Sequence, residues 1–297
     1  MNYIINQLNR KINFLRSQGE KSELKIHYQA KFEYYLFCIL GYFFNKSINK
    51  LNDDVREEVL NSILKPSIGT IIDVIRKLDI EKEIFRNKKT RELADAINKY
   101  PQLRNEIIGH GYQFEDCIDT FIDSFSQLLE RIENSNIDLI QEDFDFVYVE
   151  SLEDSLYSGI AYKPNNEYVA WQCSSKVCKL QKSCLYAHFI NGNRYYKLSP
   201  FIRIEDETSI YVFCSIEEKL TGRTKFNKLL STGYKSFDIE EFQSLIVSCD
   251  GEKIKHPNGT IINAYTKNYK TYINAVNTEA KTKDHTITQS FTDFPTI

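Results

Sequence analysis

The sequence predicts an α+β protein, an N-terminal all-α helical bundle followed by an antiparallel β-rich domain. Three observations carry this. Up to about residue 136, apolar residues recur every three or four positions, the period of one helix face. From about residue 143 the chain breaks into short runs rich in β-branched and aromatic residues, separated by turn signals. Hydrophobic residues make up 42 % of the 297, with 19 Tyr and 19 Phe, enough to bury a substantial core. The composition divides the chain into a helical domain at 1–140, a β-rich domain at 141–250 and a polar tail or linker at 251–297.

Ile4, Leu8, Ile12 and Leu15 mark a first helix. A second is expected from about Ser22 to Asn49, and its most apolar window, "YYLFCILGYFF" at 34–44, reads as a buried core helix. "DDVREEVLNSIL" starts with Asp53 or Asp54 as N-cap and acidic residues in the first turn, where the helix dipole favours them. Pro66 suits the first turn of "PSIGTIIDVIRKL". "KKTRELADAINKY" is expected to stop before Pro101, leaving "PQLRNEII" as a short separate helix. "FEDCIDTFIDSFSQLLERIEN" reads as a long amphipathic helix closing the bundle. "QEDFDF" at 141–146 marks the junction with the β segment. There "FDFVYVESL", "SGIAYKP", "EYVAWQC", "CLYAHFI", "YYKLSPFIRI" and "SIYVFCSI" read as strands, with "KPNN" and "INGNRYY" as turns. "SFDIEEFQSLIVSC" reads as a returning helix with Asp238 near its N-cap.

The formal net charge is -3, so any basic surface must be local. The most apolar window is about half the length that spans a bilayer, and the N-terminal stretch lacks the pattern of a signal peptide. The expectation is a soluble cytoplasmic protein with no membrane partner. The 7 cysteines, in a chain of this length, point to reduced thiols or metal ligands rather than a disulfide framework. No phosphate-binding Gly-Lys-Ser/Thr loop, nucleophile elbow, zinc-protease or kinase signature is present.

Chemistry is concentrated in "LRNEIIGHGYQFED", residues 103–116. Gly109 and Gly111 break helix continuity and set His110 at a turn. Six residues of ideal helix turn through about 600°, so Arg104 and His110 meet only if the chain unwinds at Gly109. Arginine can hold a phosphate bidentately, and histidine can take a proton near neutral pH. Asn105 can donate to a phosphate oxygen or orient the histidine. Together these groups suffice for metal-independent RNA cleavage that leaves a 2′,3′-cyclic phosphate. A plain structural account also fits, with Arg104 in a surface ion pair, Asn105 capping a backbone group and Gly-His-Gly as a tight turn.

An arginine-asparagine pair followed by a histidine, late in a small helical bundle, resembles the HEPN family. Its members usually carry Arg-x(4–6)-His, often with Asn directly after the Arg, and here the spacing is Arg104-x5-His110 over a resemblance covering roughly residues 1–136. The resemblance implies an RNase of toxin, abortive-infection or CRISPR-linked systems. It implies a homodimer with the site built across the interface, RNA as ligand, a partner defence protein or antitoxin, and no cofactor for cleavage. His110 would be the base or a substrate-orienting group, Arg104 the phosphate binder and Asn105 the support. The family also holds inactive members that only bind RNA or partners, so a non-catalytic dimerisation or adaptor module is the alternative.

A second constellation is "CSSKVCKLQKSCLYAH", where Cys173, Cys178, Cys184 and His188 can close a tetrahedral zinc site. Its end resembles the Cys3His fingers that bind single-stranded RNA, which would give a structural zinc and a third reading, a zinc-finger RNA-binding regulator. Lys176, Lys179, Lys182 and Tyr186 would then hold and stack bases. The competing account is a strand with Cys184, Tyr186 and His188 on one face and scattered core thiols.

Overall fold

Asn2 starts the first helix. In a computed structural model, which describes residues 2–64, 66–108, 115–135, 137–165, 167–206, 209–218, 223–231, 233–238, 253–255 and 261–263, its side-chain oxygen accepts from the Ile5 N–H at 3.1 Å. This caps α1 (Tyr3–Gln18). α2 (Lys21–Ser47) follows and continues into a single 3-10 turn at Ile48–Lys50. Then come α3 (Asp53–Leu64), α4 (Ile68–Leu78), α5 (Arg91–Ile108), α6 (Glu115–Glu133) and the short α7 (Asp138–Gln141).

Three helix boundaries differ from the sequence reading. Asn52, not Asp53 or Asp54, caps α3 by accepting from the Val55 N–H at 2.9 Å. Its amide oxygen does this as well as a carboxylate, and both acids remain in the first turn. Ser67 caps α4 by accepting from the Thr70 N–H at 3.1 Å, so Pro66 lies before the helix rather than in its first turn. α5 does not stop before Pro101 but runs through it. Packing overrides the proline there: Leu93, Ala96, Ile97 and Tyr100 are buried along one face, and the Tyr100 ring stacks on Phe32 at 3.8 Å. Burying the Leu93 and Ile97 side chains alone contributes about 1.5–3 kcal/mol each, enough to hold a helix with one missing hydrogen bond.

The apolar window of α2 is the axis of the molecule. Tyr34 through Leu40 are all buried, as a core helix requires. α2 touches α1, α4 and α6, and on its other sides strands of both large sheets. Gly41 permits one of these approaches, because a Cβ there would stand 2.9 Å from the Leu198 carbonyl oxygen. His27, on the same helix, is a satisfied buried histidine: its ring nitrogens lie 2.9 Å from the Glu23 carbonyl and 3.3 Å from the Leu230 carbonyl.

β1 (Asp145–Glu153), β2 (Leu156–Tyr162), β3 (Tyr168–Ser174), β4 (Cys184–Phe189) and β5 (Arg194–Lys197) form an antiparallel sheet in the order β3-β2-β1-β4-β5. β6 (Ile202–Ile204), β7 (Ile210–Glu218), β8 (Arg223–Lys228) and β9 (Tyr234–Asp238) form a second antiparallel sheet in sequence order. The α+β class, helices first and antiparallel sheets after, is therefore as expected. The expected "INGNRYY" turn joins β4 to β5, with Gly192 and Asn193 at positive φ of 87° and 47°. The helix expected over "SFDIEEFQSLIVSC" is not what its start adopts. Ser236, Phe237 and Asp238 belong to β9, because Phe237 packs on Tyr211 at 5.4 Å and Phe226 at 5.5 Å. The rest of that stretch lies outside the described residues. Within the expected polar tail, β10 (Lys253–Lys255) pairs antiparallel with β11 (Ile261–Asn263).

Side chains alternate across the five-stranded sheet. Phe146, Tyr162, Leu185, Ala187 and Phe189 face the helices and join their core. Val147, Val149, Tyr157, Ala161, Cys184 and Tyr186 form a second small core on the opposite face. The sheet curls around that second core. Trp171 on β3 and Tyr195 on β5 have ring centroids 6.1 Å apart, although four interstrand spacings of a flat sheet would separate the two strands by about 19 Å. Residues 175–183, linking β3 to β4, close over this concave face, with Cys178 and Leu180 packed into it.

Candidate functional site

Arg104 stands one turn beyond Tyr100 on α5, and the two share a face. That face meets α2 at Glu33. The Glu33 carboxylate oxygen accepts from the Gln29 amide at 2.8 Å and from the Tyr100 hydroxyl at 3.1 Å. Burial pushes the Glu33 carboxyl above its ordinary value, opposed by these two hydrogen bonds and then by the charge of Arg104. The Tyr100 hydroxyl is pushed up by burial first and then by Glu33, which keeps it a donor. Behind this polar cluster lies an aromatic one, Phe32, Tyr100, Phe121 and Phe125, which fixes α5 and α6 against α2.

Arg104 is half-buried, with its charge acting on Glu33 of α2 and on Tyr100. Its Nε is buried and has no hydrogen-bond partner among the described residues. A buried donor left unsatisfied carries a penalty of about 1–3 kcal/mol, so this Nε is available to a partner other than the described residues. Asn105 is exposed, turned about 100° from Arg104 around the helix. His110, with Gly109 and Gly111, lies outside the described residues, and so does any approach of His110 to Arg104.

The second constellation is only partly gathered. Cys173 at the end of β3 and Cys178 in the following loop bring their sulfurs to 3.2 Å. Burial, then the hydrogen bond and charge of Cys173, push the Cys178 thiol up to about 12. Cys184 is on β4, separated from β3 by β2 and β1, and packs in the small outer core. His188 stacks on Tyr195 with ring centroids 4.2 Å apart, and its Nε2 lies 3.0 Å from the Asn193 side-chain oxygen. The strand reading of "CLYAHF" holds, with Cys184, Tyr186 and His188 alternating onto one face. Among the described residues no group of three or more His, Cys, Asp or Glu side chains is placed to hold a metal. Of the four expected ligands, the structure brings Cys173 and Cys178 together.

Sequence reasoning missed the groups that give both constellations their electrostatics. Glu33 and Gln29 belong to Arg104, and the available signal was a carboxylate inside the most apolar helix. Asp145 sits opposite His188 across the β1–β4 pair. It is 1 % exposed and is hydrogen-bonded by Lys163 through one oxygen. Its other oxygen and His188 Nδ1 are both buried without a partner among the described residues. Burial lowers the His188 pKa from its ordinary value, opposed by the Asn193 hydrogen bond and the Asp145 charge.

Compared with known protein families, with curated proteins and with solved structures, the chain matches none. The fold and this site define an α+β protein with a buried acid–tyrosine–arginine cluster at the end of α5.

Proposed function

We propose that the chain is a metal-independent ribonuclease of the HEPN type, an effector of a bacterial antiphage defence or toxin system acting on RNA as a homodimer. The observation that carries this reading is Arg104, at the end of α5, whose buried Nε has no hydrogen-bond partner among the described residues and whose charge acts on Glu33 and Tyr100. The chain runs from there directly into the segment that holds His110. His110 takes the proton of a ribose 2′-hydroxyl, and that oxygen bonds to the adjacent phosphorus. The P–O5′ bond breaks, and the leaving oxygen takes up a proton. Arg104 neutralises the charge on the phosphoryl oxygens, with Asn105 as a further donor. The products are a 2′,3′-cyclic phosphate and a 5′-hydroxyl.

The test is cleavage of single-stranded RNA in the presence of EDTA by the wild type, His110→Ala and Arg104→Ala. Removing the base is expected to lower the rate by about 10²–10⁴-fold, with Arg104→Ala comparably impaired. Cleavage that persists unchanged in His110→Ala overturns the assignment.

One observation favours a second reading, a non-catalytic module that docks a partner enzyme. β3 is an edge strand of the five-stranded sheet, and its Tyr168 and Val169 are 54 % and 42 % exposed. An edge strand paired on one side only, as β3 is among the described residues, is a template for pairing with another chain. Wild-type protein that leaves RNA intact but binds a partner through this edge supports the second reading.

A further inference from the structure

A cleft of about 1160 Å³ opens between the C-terminal half of α2 and the β5 edge of the five-stranded sheet. It is larger than the roughly 300–1,000 Å³ sites that take small ligands, so it suits an extended one. Its charge is of one sign. Lys179, Lys182 and Lys197 line it and, among the described residues, no aspartate or glutamate does, in a chain whose formal net charge is -3. Lys46 also faces the cleft, but Glu81 at 2.8 Å and Glu83 at 2.5 Å already hold it. Lys179 and Lys182 are exposed and form no ion pair among the described residues.

The loop that carries these two lysines is fastened in place. The Tyr157 hydroxyl donates to the Leu180 carbonyl at 2.9 Å and accepts from the Leu180 N–H at 3.0 Å. The Tyr186 hydroxyl accepts from the Gln181 N–H at 2.8 Å, and Lys197 donates to the Gln181 side-chain oxygen at 2.6 Å. Tyr195 and Tyr196 also line the cleft. Tyr195 is braced by His188 on one face, and Tyr196 packs edge-on against Tyr42 at 5.0 Å. Fixed cations beside fixed rings are what a strand of phosphates with unpaired bases requires.

We infer that this cleft binds a single-stranded oligonucleotide, with its phosphates on Lys179, Lys182 and Lys197 and its bases against the tyrosines. The site is separate from Arg104. Lys46 lies thirteen positions beyond Glu33 on α2, roughly 20 Å of helix, and binding here does not depend on cleavage there.

The experiment is fluorescence anisotropy of labelled single-stranded 12-mers, one RNA and one DNA, with full-length His110→Ala protein, so that cleavage does not enter. The same titrations are run on Lys179→Glu/Lys182→Glu in that background, between 50 and 200 mM salt. Both substitutions lie on an exposed loop, and an unchanged melting temperature verifies the fold. The expected result is binding weakened at least about tenfold by the double reversal, with the logarithmic salt slope shallower by about 1.4, or ~0.7 for each phosphate left without its lysine. Ultraviolet cross-links are expected to map to residues 179–197. RNA bound and DNA not, or both bound, identifies the sugar that the cleft accepts. Equal binding by the reversed and unreversed proteins, cross-links confined elsewhere, or displacement by polyglutamate as efficient as by unlabelled oligonucleotide overturns the inference.

Discussion

Glu33 is a carboxylate inside the most apolar helix, and its partners define what it does. Burial opposes its charge more strongly than Gln29, Tyr100 and Arg104 support it. The folded chain therefore binds the Glu33 proton more tightly than the unfolded chain. Its contribution to stability is present below the ordinary carboxylate range and is lost as pH rises through the folded value. Glu33→Gln removes this titration. Relative to the wild type, the variant is expected to gain stability as pH rises from 4 to 8, in melting curves taken across that range. A wild-type–variant difference that stays constant over the range would show that Glu33 does not titrate differently in the folded chain. The same substitution removes the carboxyl group whose charge is coupled to that of Arg104, so RNA cleavage at neutral pH is expected to fall even where stability rises. A gain in stability together with a loss of function is the behaviour of a site residue rather than a packing residue.

At the scale of elements, the parts that could be read were those whose signal is local. The apolar run of α2, the turn residues between β4 and β5 and the acidic first turn of α3 each follow from neighbouring residues alone. The start of β9 was misread because its strand character comes from Phe226 and Tyr211, partners on other strands. In the metal constellation, Cys173 and Cys178 are neighbours through a local turn, whereas where Cys184 and His188 stand depends on how β4 pairs with β1. Pro101 is the sharpest case, since local preference ends a helix there and the Tyr100–Phe32 stack keeps it going. Pro101→Ala restores a backbone N–H that can bond to the Ile97 carbonyl. Net of proline's restraint on the unfolded chain, it is expected to stabilise by about 1–2 kcal/mol, a rise of several degrees in melting temperature. A lower melting temperature would mean that the proline ring itself packs usefully in α5.

The helices and the sheets differ in secondary structure but not in core. One continuous set of buried residues runs from Tyr3 in α1 through α2, α4, α5 and α6 to Phe146, Leu185, Phe213 and Phe226 in the two large sheets. α2 is central to both halves, with Tyr34 against Phe146 at 6.5 Å, Phe37 against Phe213 at 6.3 Å and Phe44 against Phe201 at 5.1 Å. Separating the sheets from the helices would expose these faces to water, at about 25 cal/mol per Å² of apolar surface. Neither part is then expected to persist without the other, and the chain should unfold as one unit. The single tryptophan makes this measurable. Trp171 packs against the small outer core of the curled sheet, away from the helices, so its fluorescence follows the sheet. Far-UV ellipticity is dominated by the helices. Under increasing urea the two signals are expected to give one midpoint and one slope. A tryptophan transition separated from the helical one would mean that the curled sheet unfolds on its own, with its outer core rather than α2 holding it together. The same experiment with Phe37→Ala distinguishes the two cases further. A shared core requires that removing Phe37, expected to cost about 3–5 kcal/mol, lowers both midpoints together, although Trp171 lies on the far side of the sheet.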